Sequence, residues 1–324
     1  MIKAALIGCG KIGSSFADDP KVKGVYAHAH AYSRVDGIAL AAVCDNDIEK
    51  ARHCAVRWGG VLAFSDVAEL LADVQPEIVS VCTPDETHVE ILEKVLLTSS
   101  VKAVLVEKPL AVSFDDATRL VELAKQKNIH LAVNYSRRYS RSHQLLRCQL
   151  ADRIGVVQCV HGYYTKGLLH NGTHWLDLIR FLFGSVTVTS CVAGLSPFPG
   201  DPVGDSSPSV TLSLGNGVPV FLVGLDAAQF SIFEMEIIGS KGRVRLLDSG
   251  FNFEWQQVTD SQYFSGYTTL APGISEPADM QDLTLNALTD LLASVQESRE
   301  PLCSGEDALA AQALVKQARS YLSA

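Results

Sequence analysis

The chain has 324 residues, 47% of them hydrophobic and 19% charged, with a formal net charge of −9. That much apolar material excludes a mostly disordered polymer, and at about 150 residues per domain the length suggests two domains. An acidic chain without a basic block is excluded as a general binder of nucleic acid or anionic membrane.

The first 133 residues alternate short apolar runs with helical patterns. The runs lie at residues 3–7, 38–44, 78–82, 103–106 and 129–133. They are continuous rather than alternating, as in parallel strands covered on both faces. Helices are predicted at residues 66–72, 86–97 and 114–127. In the last, Ala117, Leu120, Val121 and Ala124 recur at helical spacing behind Ser113 as N-cap. This alternation predicts a doubly wound parallel sheet over residues 1–133.

The rhythm changes after Asn134. A helix is predicted over 138–153, then strands at 156–164, 186–193, 210–214, 218–225, 233–238 and 243–247. Gly215-Asn-Gly217 and Gly239-Ser-Lys-Gly242 mark tight turns between some of them. Residues 196–208, rich in Pro, Gly, Ser and Asp, read as a long loop. Two amphipathic helices, near 280–297 and 306–322, close the chain. Residues 134–324 are thus expected to form an α+β domain with an open antiparallel sheet, its closing helices able to pack back on the first domain. Eight cysteines without a CxxC pair read as buried thiols of a reducing cytoplasm. The N-terminal apolar stretch is too short for a signal peptide. No uncharged apolar run reaches the ~18 residues of a membrane span, so a cytoplasmic protein without membrane contact is expected.

Gly8-Cys-Gly10-Lys11-Ile12-Gly13 follows the first strand and should open a helix. Such a loop lets backbone N–H groups and the positive helix end approach a dinucleotide pyrophosphate. An acid should then close the second strand and bond the ribose. Asp36 has nearly the right spacing but precedes the strand. Asp45 ends it, 32 residues past Gly13, and is preferred, which makes residues 14–37 a long first crossover containing His28 and His30. A carboxylate there favours NAD, with NADP still possible. Asp45 or Asp47 could cap the next helix. Cys82-Thr83-Pro84-Asp-Glu-Thr-His88 leaves another strand at the carboxyl edge, where open α/β sheets bind ligands. Thr83 and Pro84 are expected to line the cofactor, and His88 either contacts it or sits in the first helical turn. Glu107-Lys108-Pro109 ends a further strand at that edge; partial burial would bring the Lys108 amine into acid–base range.

These motifs, taken with Gly172-Thr-His174-Trp-Leu-Asp177, resemble the glucose–fructose oxidoreductase/inositol dehydrogenase/rhizopine-catabolism (Gfo/Idh/MocA) family over essentially the whole chain. The resemblance implies that residues 1–133 form an N-terminal NAD(P)-binding Rossmann domain, and it implies a hydride transfer between NAD or NADP and a carbinol of a sugar, cyclitol or nucleotide-sugar. It implies Lys108 as the acid–base group and His174 as its partner in proton transfer. It matches Asp177 to the aspartate one helical turn on, and it places Glu107 and Lys108 beside the cofactor. His170 stands where the family often has an aspartate, and Asn171 beside it is a candidate for substrate hydroxyls. Asn134, Arg137 and Arg138 match a cleft-lining segment, and two arginines suit a carboxylate or phosphate. Lys166 is a second cationic candidate. No metal is expected. An antiparallel sheet of this kind often serves oligomerisation in the family, which suggests a homodimer or homotetramer. Two other readings fit the scaffold: a non-catalytic nucleotide or sugar sensor, and a redox-assisted glycosidase or aldose–aldose oxidoreductase that recycles tightly bound NAD.

Overall fold

In the computed structural model of the chain, which describes residues 1–193, 198 and 201–322, the apolar runs of the first third pair as a parallel sheet. Its strands are β1 (Ile2–Ile7), β2 (Ile38–Cys44), β3 (Leu62–Phe64), β4 (Ile78–Val81), β5 (Ala103–Val106) and β6 (His130–Val133). They lie in the order β3-β2-β1-β4-β5-β6, so the chain winds outward in both directions from β1 and β4. Helices α1 (His28–Tyr32), α2 (Ile48–Arg57), α3 (Val67–Val74), α4 (His88–Leu96) and α5 (Phe114–Gln126) connect them. Every residue of β4 and β5 is buried, which explains runs without polar alternation. Fully burying one such Val, Ile or Leu side chain contributes about 1.5–3 kcal/mol. Met1–Tyr139 and Gln281–Ala310 make up this first unit, including the helix Leu283–Glu297 (α8 in chain order).

The glycine turn does not open a regular helix, as the sequence pattern suggested. Main-chain bonds from Ser14 to Gly10 and from Phe16 to Lys11 form a single turn. The chain then leaves, and the next turn of the same spiral is α1. His28 N–H donates to Ile12 O at 3.0 Å and Ala29 N–H to Gly13 O at 2.9 Å. An excursion between Phe16 and Ala27 has been spliced into the helix, which is why Asp45 lies so far from the glycines.

The second unit, Ser140–Met280 with Ala311–Ala324, is built on a nine-stranded sheet. Helix α6 (Arg141–Ile154) leads into β7 (Val157–Tyr164), then α7 (Thr173–Phe183). There follow β8 (Val186–Val192), β9 (Ser209–Leu214), β10 (Pro219–Gly224), β11 (Glu234–Gly239), β12 (Gly242–Leu247), β13 (Asn252–Asp260), β14 (Thr268–Leu270) and β15 (Ile274–Pro277). The strand order is β14-β13-β12-β11-β7-β10-β9-β8, with β15 also on β13. The sheet is mixed rather than wholly antiparallel, because β10 pairs β7 in parallel. Helix α7 sits in the connection between β7 and β8, and the β8–β9–β10 meander then returns to the open flank of β7. One face buries Val160, Tyr164, Leu222, Ile237, Val244 and Trp255; the other carries His161, Phe221, Glu236, Arg243 and Arg245. The last helix is α9 (Gly305–Leu322). The expected loop 196–208 lies partly outside the described residues. No helix among the described residues is long and apolar enough to cross a membrane. All eight cysteines are free; Cys148 is exposed, against the expectation of burial, because it falls on the outer side of α6.

Candidate active site

In the first unit, the ends of β1, β2 and β4 enclose a cavity of about 440 Å³. It is lined by Gly8, Gly10, Asp45, Lys50, Thr83 and Pro84, with Asn46, Ser65, Val67, Thr87 and Ile91 among the remaining walls. Its position is the carboxyl edge of a parallel sheet, where such folds bind ligands. Gly13 packs so tightly that a Cβ there would lie 2.0 Å from the Gly8 carbonyl oxygen. Over Gly10 the reverse holds: a Cβ would meet nothing within 4 Å, so that backbone is open to an approaching pyrophosphate. The residues present therefore fit a dinucleotide.

Asp45 reaches back to the glycine turn. Its Oδ2 accepts from Cys9 N–H at 2.9 Å and its Oδ1 from Asp47 N–H at 3.0 Å. Asp47 is the N-cap of α2, accepting from Glu49 and Lys50 N–H. The two aspartates thus divide the work, and the Asp45 carboxylate stays at the cavity wall with lone pairs left for ribose hydroxyls. Asn46, Lys50 and Ser65 also line the cavity and were not foreseen. Asn46 and Lys50 had a signal, since both stand within five residues of Asp45.

The remaining residues expected around the cofactor are placed apart from this wall. Lys11, Ile12 and Gly13 form the turn behind it. His88 is fully buried, its Nδ1 2.8 Å from the Pro109 carbonyl and its Nε2 3.0 Å from the Thr83 carbonyl. That histidine ties the two strand-end turns together from below. The Lys108–Pro109 peptide is cis. Glu107 beside it is held from two sides: His28 Nε2 donates to Oε1 at 3.0 Å and Asn134 Nδ2 at 2.7 Å. Burial pushes this carboxyl up, but the bonds from His28 and Asn134 and the neighbouring Lys108 charge outweigh it and hold it below the ordinary carboxylate value. In the sequence His28 stands out only as part of the long crossover, and no motif marks it. Asn134, expected to touch substrate, is engaged with Glu107.

Arg137 and Arg138 differ in what they face. Arg138 Nη1 donates to the Leu302 carbonyl at 3.1 Å and lies 3.1 Å from Asp307 Oδ2, so its guanidinium is used to fasten the C-terminal segment. Arg137 is buried, and burial brings its guanidinium down to about 10.

In the second unit, Gly167 leads into a π-helical turn, Leu168–Gly172, that runs straight into α7. Wide turns of this type recur at functional sites. His174 is the second residue of α7, half-buried, with its ring edge-on to Phe233 at 6.0 Å. Trp175 stacks on the same Phe233 at 4.0 Å and donates to the Tyr163 carbonyl at 2.9 Å. Asp177 is buried rather than on the helix surface. His170 and Asn171 are half-buried on the π turn; Asn171 Nδ2 donates to Thr165 O at 2.9 Å. Lys166 is exposed, with left-handed backbone (φ 66°).

A residue no motif pointed to holds this turn. Asp205 Oδ1 accepts from Leu169 N–H at 2.9 Å and Oδ2 from His170 N–H at 2.7 Å, while Arg319 Nη2 donates to Oδ1 at 2.9 Å. Asp201 adds bonds from Gly167 N–H at 3.2 Å and from Ser207 Oγ at 2.5 Å. The polar loop composition was visible in the sequence, but its role as a clamp needs coordinates.

Comparison with known proteins agrees with this geometry. Residues 2–135 match the model of the Gfo/Idh/MocA oxidoreductases for their NAD-binding Rossmann fold, and residues 165–320 match the C-terminal alpha/beta domain of the same family. The 4-carboxy-2-hydroxymuconate-6-semialdehyde dehydrogenase of a Sphingobium species is 23% identical, covering 93% of this chain and 92% of its own. The inositol 2-dehydrogenase of Rhizobium meliloti is 26% identical, covering 98% and 96%. An Agrobacterium radiobacter oxidoreductase crystallised with NAD+, L-tartaric acid and magnesium superposes with a TM-score of 0.76 at 21% identity, covering 99% and 96%. With both of its halves accounted for in order, the chain belongs to the Gfo/Idh/MocA oxidoreductase family and has that family's NAD-binding domain.

Proposed function

We propose that the protein is an NAD(P)-dependent dehydrogenase or reductase acting on a secondary alcohol of a sugar, cyclitol or nucleotide-sugar. The observation that carries this reading is the shared sheet edge. The glycine turn after β1 and Thr83 after β4 line a cavity with Asp45 in its wall, and Lys108 leaves the carboxyl end of β5, the next strand of the same sheet. When bound there, the nicotinamide supplies the hydride donor or acceptor.

Lys108 then holds the reacting oxygen and takes its proton as the carbonyl forms, or returns it in reduction. His174 passes that proton on, with Asp177, three residues later on α7, to orient it, and His170 as a second relay. Asn171, Lys166 and Arg137 are the groups we assign to substrate hydroxyls or an anionic substituent. The relatives named for inositol and for a semialdehyde support a small polar substrate. The retained lysine and histidine favour an enzyme over a nucleotide sensor. A homodimer or homotetramer through the face carrying His161 and Phe221 completes the reading. Light scattering of wild type and Phe221→Arg tests it, with dissociation of the variant as the supporting result.

The deciding experiment is a screen of purified protein against sugars, cyclitols and nucleotide-sugars, with NAD and NADP each followed through reduced-nicotinamide absorbance. Lys108→Met should abolish turnover while leaving NADH binding within about three-fold, as expected when a group acts in the transition state alone. Near-normal turnover in that variant overturns the reading.

A further inference from the structure

Beneath the Glu107-Lys108-Pro109 turn runs a chain of buried polar side chains through an otherwise apolar sheet. Tyr32 OH lies 2.8 Å from Ser80 Oγ, Ser80 Oγ lies 3.0 Å from His28 Nδ1, and His28 Nε2 donates to Glu107 Oε1. Ser80 sits in the middle of β4, between Val79 and Val81, all three fully buried. His28 is fully buried as well. Polar groups in such a core cost stability unless they are bonded, and a network of them persists where it fixes something.

What it fixes is a carboxylate. The groups around Glu107 come from four elements. His28 stands on α1, Asn134 just past β6, Cys82 at the exit of β4, and Lys108 next in the chain. Of these, His28 is the one locked at both ring nitrogens. Its backbone is locked too, by the bond to Ile12 O that splices α1 onto the glycine turn.

We propose that His28 is a positioning residue for Lys108: by donating to Glu107 it keeps a fixed negative charge on the residue next to Lys108 in the chain. The inference rests on the reading of Lys108 as the acid–base group. In His28→Leu the ring's donor is lost while its bulk is largely kept. Burial then favours the neutral acid form of Glu107, the negative charge beside Lys108 weakens, and the lysine releases its proton more readily. In His28→Gln the side-chain amide still donates towards Glu107.

The test needs no substrate. Lysines are reductively methylated with ¹³C-formaldehyde, and each dimethyl-amine resonance is titrated by NMR. The Lys108 signal is assigned by its absence from Lys108→Met. The Lys108 midpoint is expected to fall by about 0.5 unit or more in His28→Leu and in Glu107→Gln, and to stay within about 0.2 unit of wild type in His28→Gln. Should His28→Leu fail to fold, Ser80→Ala, which frees the ring at Nδ1, is expected to move the midpoint the same way by less. An unchanged or raised midpoint in the folded donor-deleted variant overturns the proposal. So does a fall in His28→Gln as large as in His28→Leu, since ring volume rather than the donor would then be responsible. Lys108→Met in the alcohol screen separates the two claims. An inactive variant with an unmoved midpoint defeats the His28 role alone, and an active one defeats the acid–base reading beneath it.

Discussion

Asp45 bonds Cys9 N–H and Asp47 N–H while standing in the cavity wall, so its replacement acts on the loop and on the ligand together. The two effects separate by cofactor. A carboxylate favours the free ribose hydroxyls of NADH and repels the 2′-phosphate of NADPH. Asp45→Ala should therefore weaken NADH about 10- to 100-fold, the size expected for lost bonds to a charged acceptor, and NADPH much less. Fluorescence titration with both nucleotides measures it, and equal losses would mean that the aspartate serves the loop alone. Arg138 gives the contrasting case. Its guanidinium is 5% exposed and is committed to Leu302 O and Asp307, so Arg138→Leu should lower the thermal midpoint through a stranded carboxylate and carbonyl. A loss of about 2–4 kcal/mol in denaturant unfolding is expected, with NADH affinity nearly kept. Unaltered stability with weakened substrate binding would return Arg138 to the ligand.

At the scale of elements, the π turn Leu168–Gly172 shows where a sequence pattern stops being readable. His174 and Asp177 at i, i+3 were legible as one helix face, because α-helical spacing is local. The turn before them was not, because its geometry is imposed by Asp205, which arrives 35 residues after His170. Asp205→Ala should free the Leu169 and His170 amides to exchange with solvent about ten-fold faster or more, read by hydrogen-exchange mass spectrometry. It should also lower kcat more than it raises KM. Asp205→Asn keeps one acceptor and should fall between. Strand β13 was missed for a different reason: Phe253 and Trp255 alternate with polar neighbours as a half-buried strand should, but the polar stretch after them hid the signal. The short edge strands β14 and β15 are mostly exposed and carry no apolar pattern to find. The parallel strands β1, β2, β4, β5 and β6 were all legible, since burial on both faces leaves runs that polar residues cannot interrupt.

Across the whole molecule, carboxylates do more of the fastening than the net charge of −9 suggests. Each unit contains one with several partners. Glu107 is held in the first. In the second, Asp279 accepts from Ser140 Oγ at 2.8 Å, Ser142 N–H at 2.7 Å and Arg141 N–H at 3.2 Å, and so anchors the start of α6. For Asp279, burial acts upward, but the bonds from Ser142, Ser140 and Arg141 prevail and hold it below its ordinary 3.8. Glu107 is likewise held below its ordinary 4.5. A group whose folded affinity for protons is depressed contributes stability that is fully present above its unfolded value and is lost as pH falls through the folded one. The thermal midpoint should therefore be level from about pH 7 to pH 5 and fall below about pH 4.5, where the unfolded chain takes up protons at these two carboxyls that the folded chain binds only at lower pH. Glu107→Gln and Asp279→Asn should each start lower at neutral pH and decline less towards pH 3, so that the gap to wild type narrows with acid. Calorimetry of the three proteins at half-unit steps measures this. A gap that stays constant to pH 3 would mean that these two side chains contribute by shape and hydrogen-bond number, with their charge immaterial to the fold.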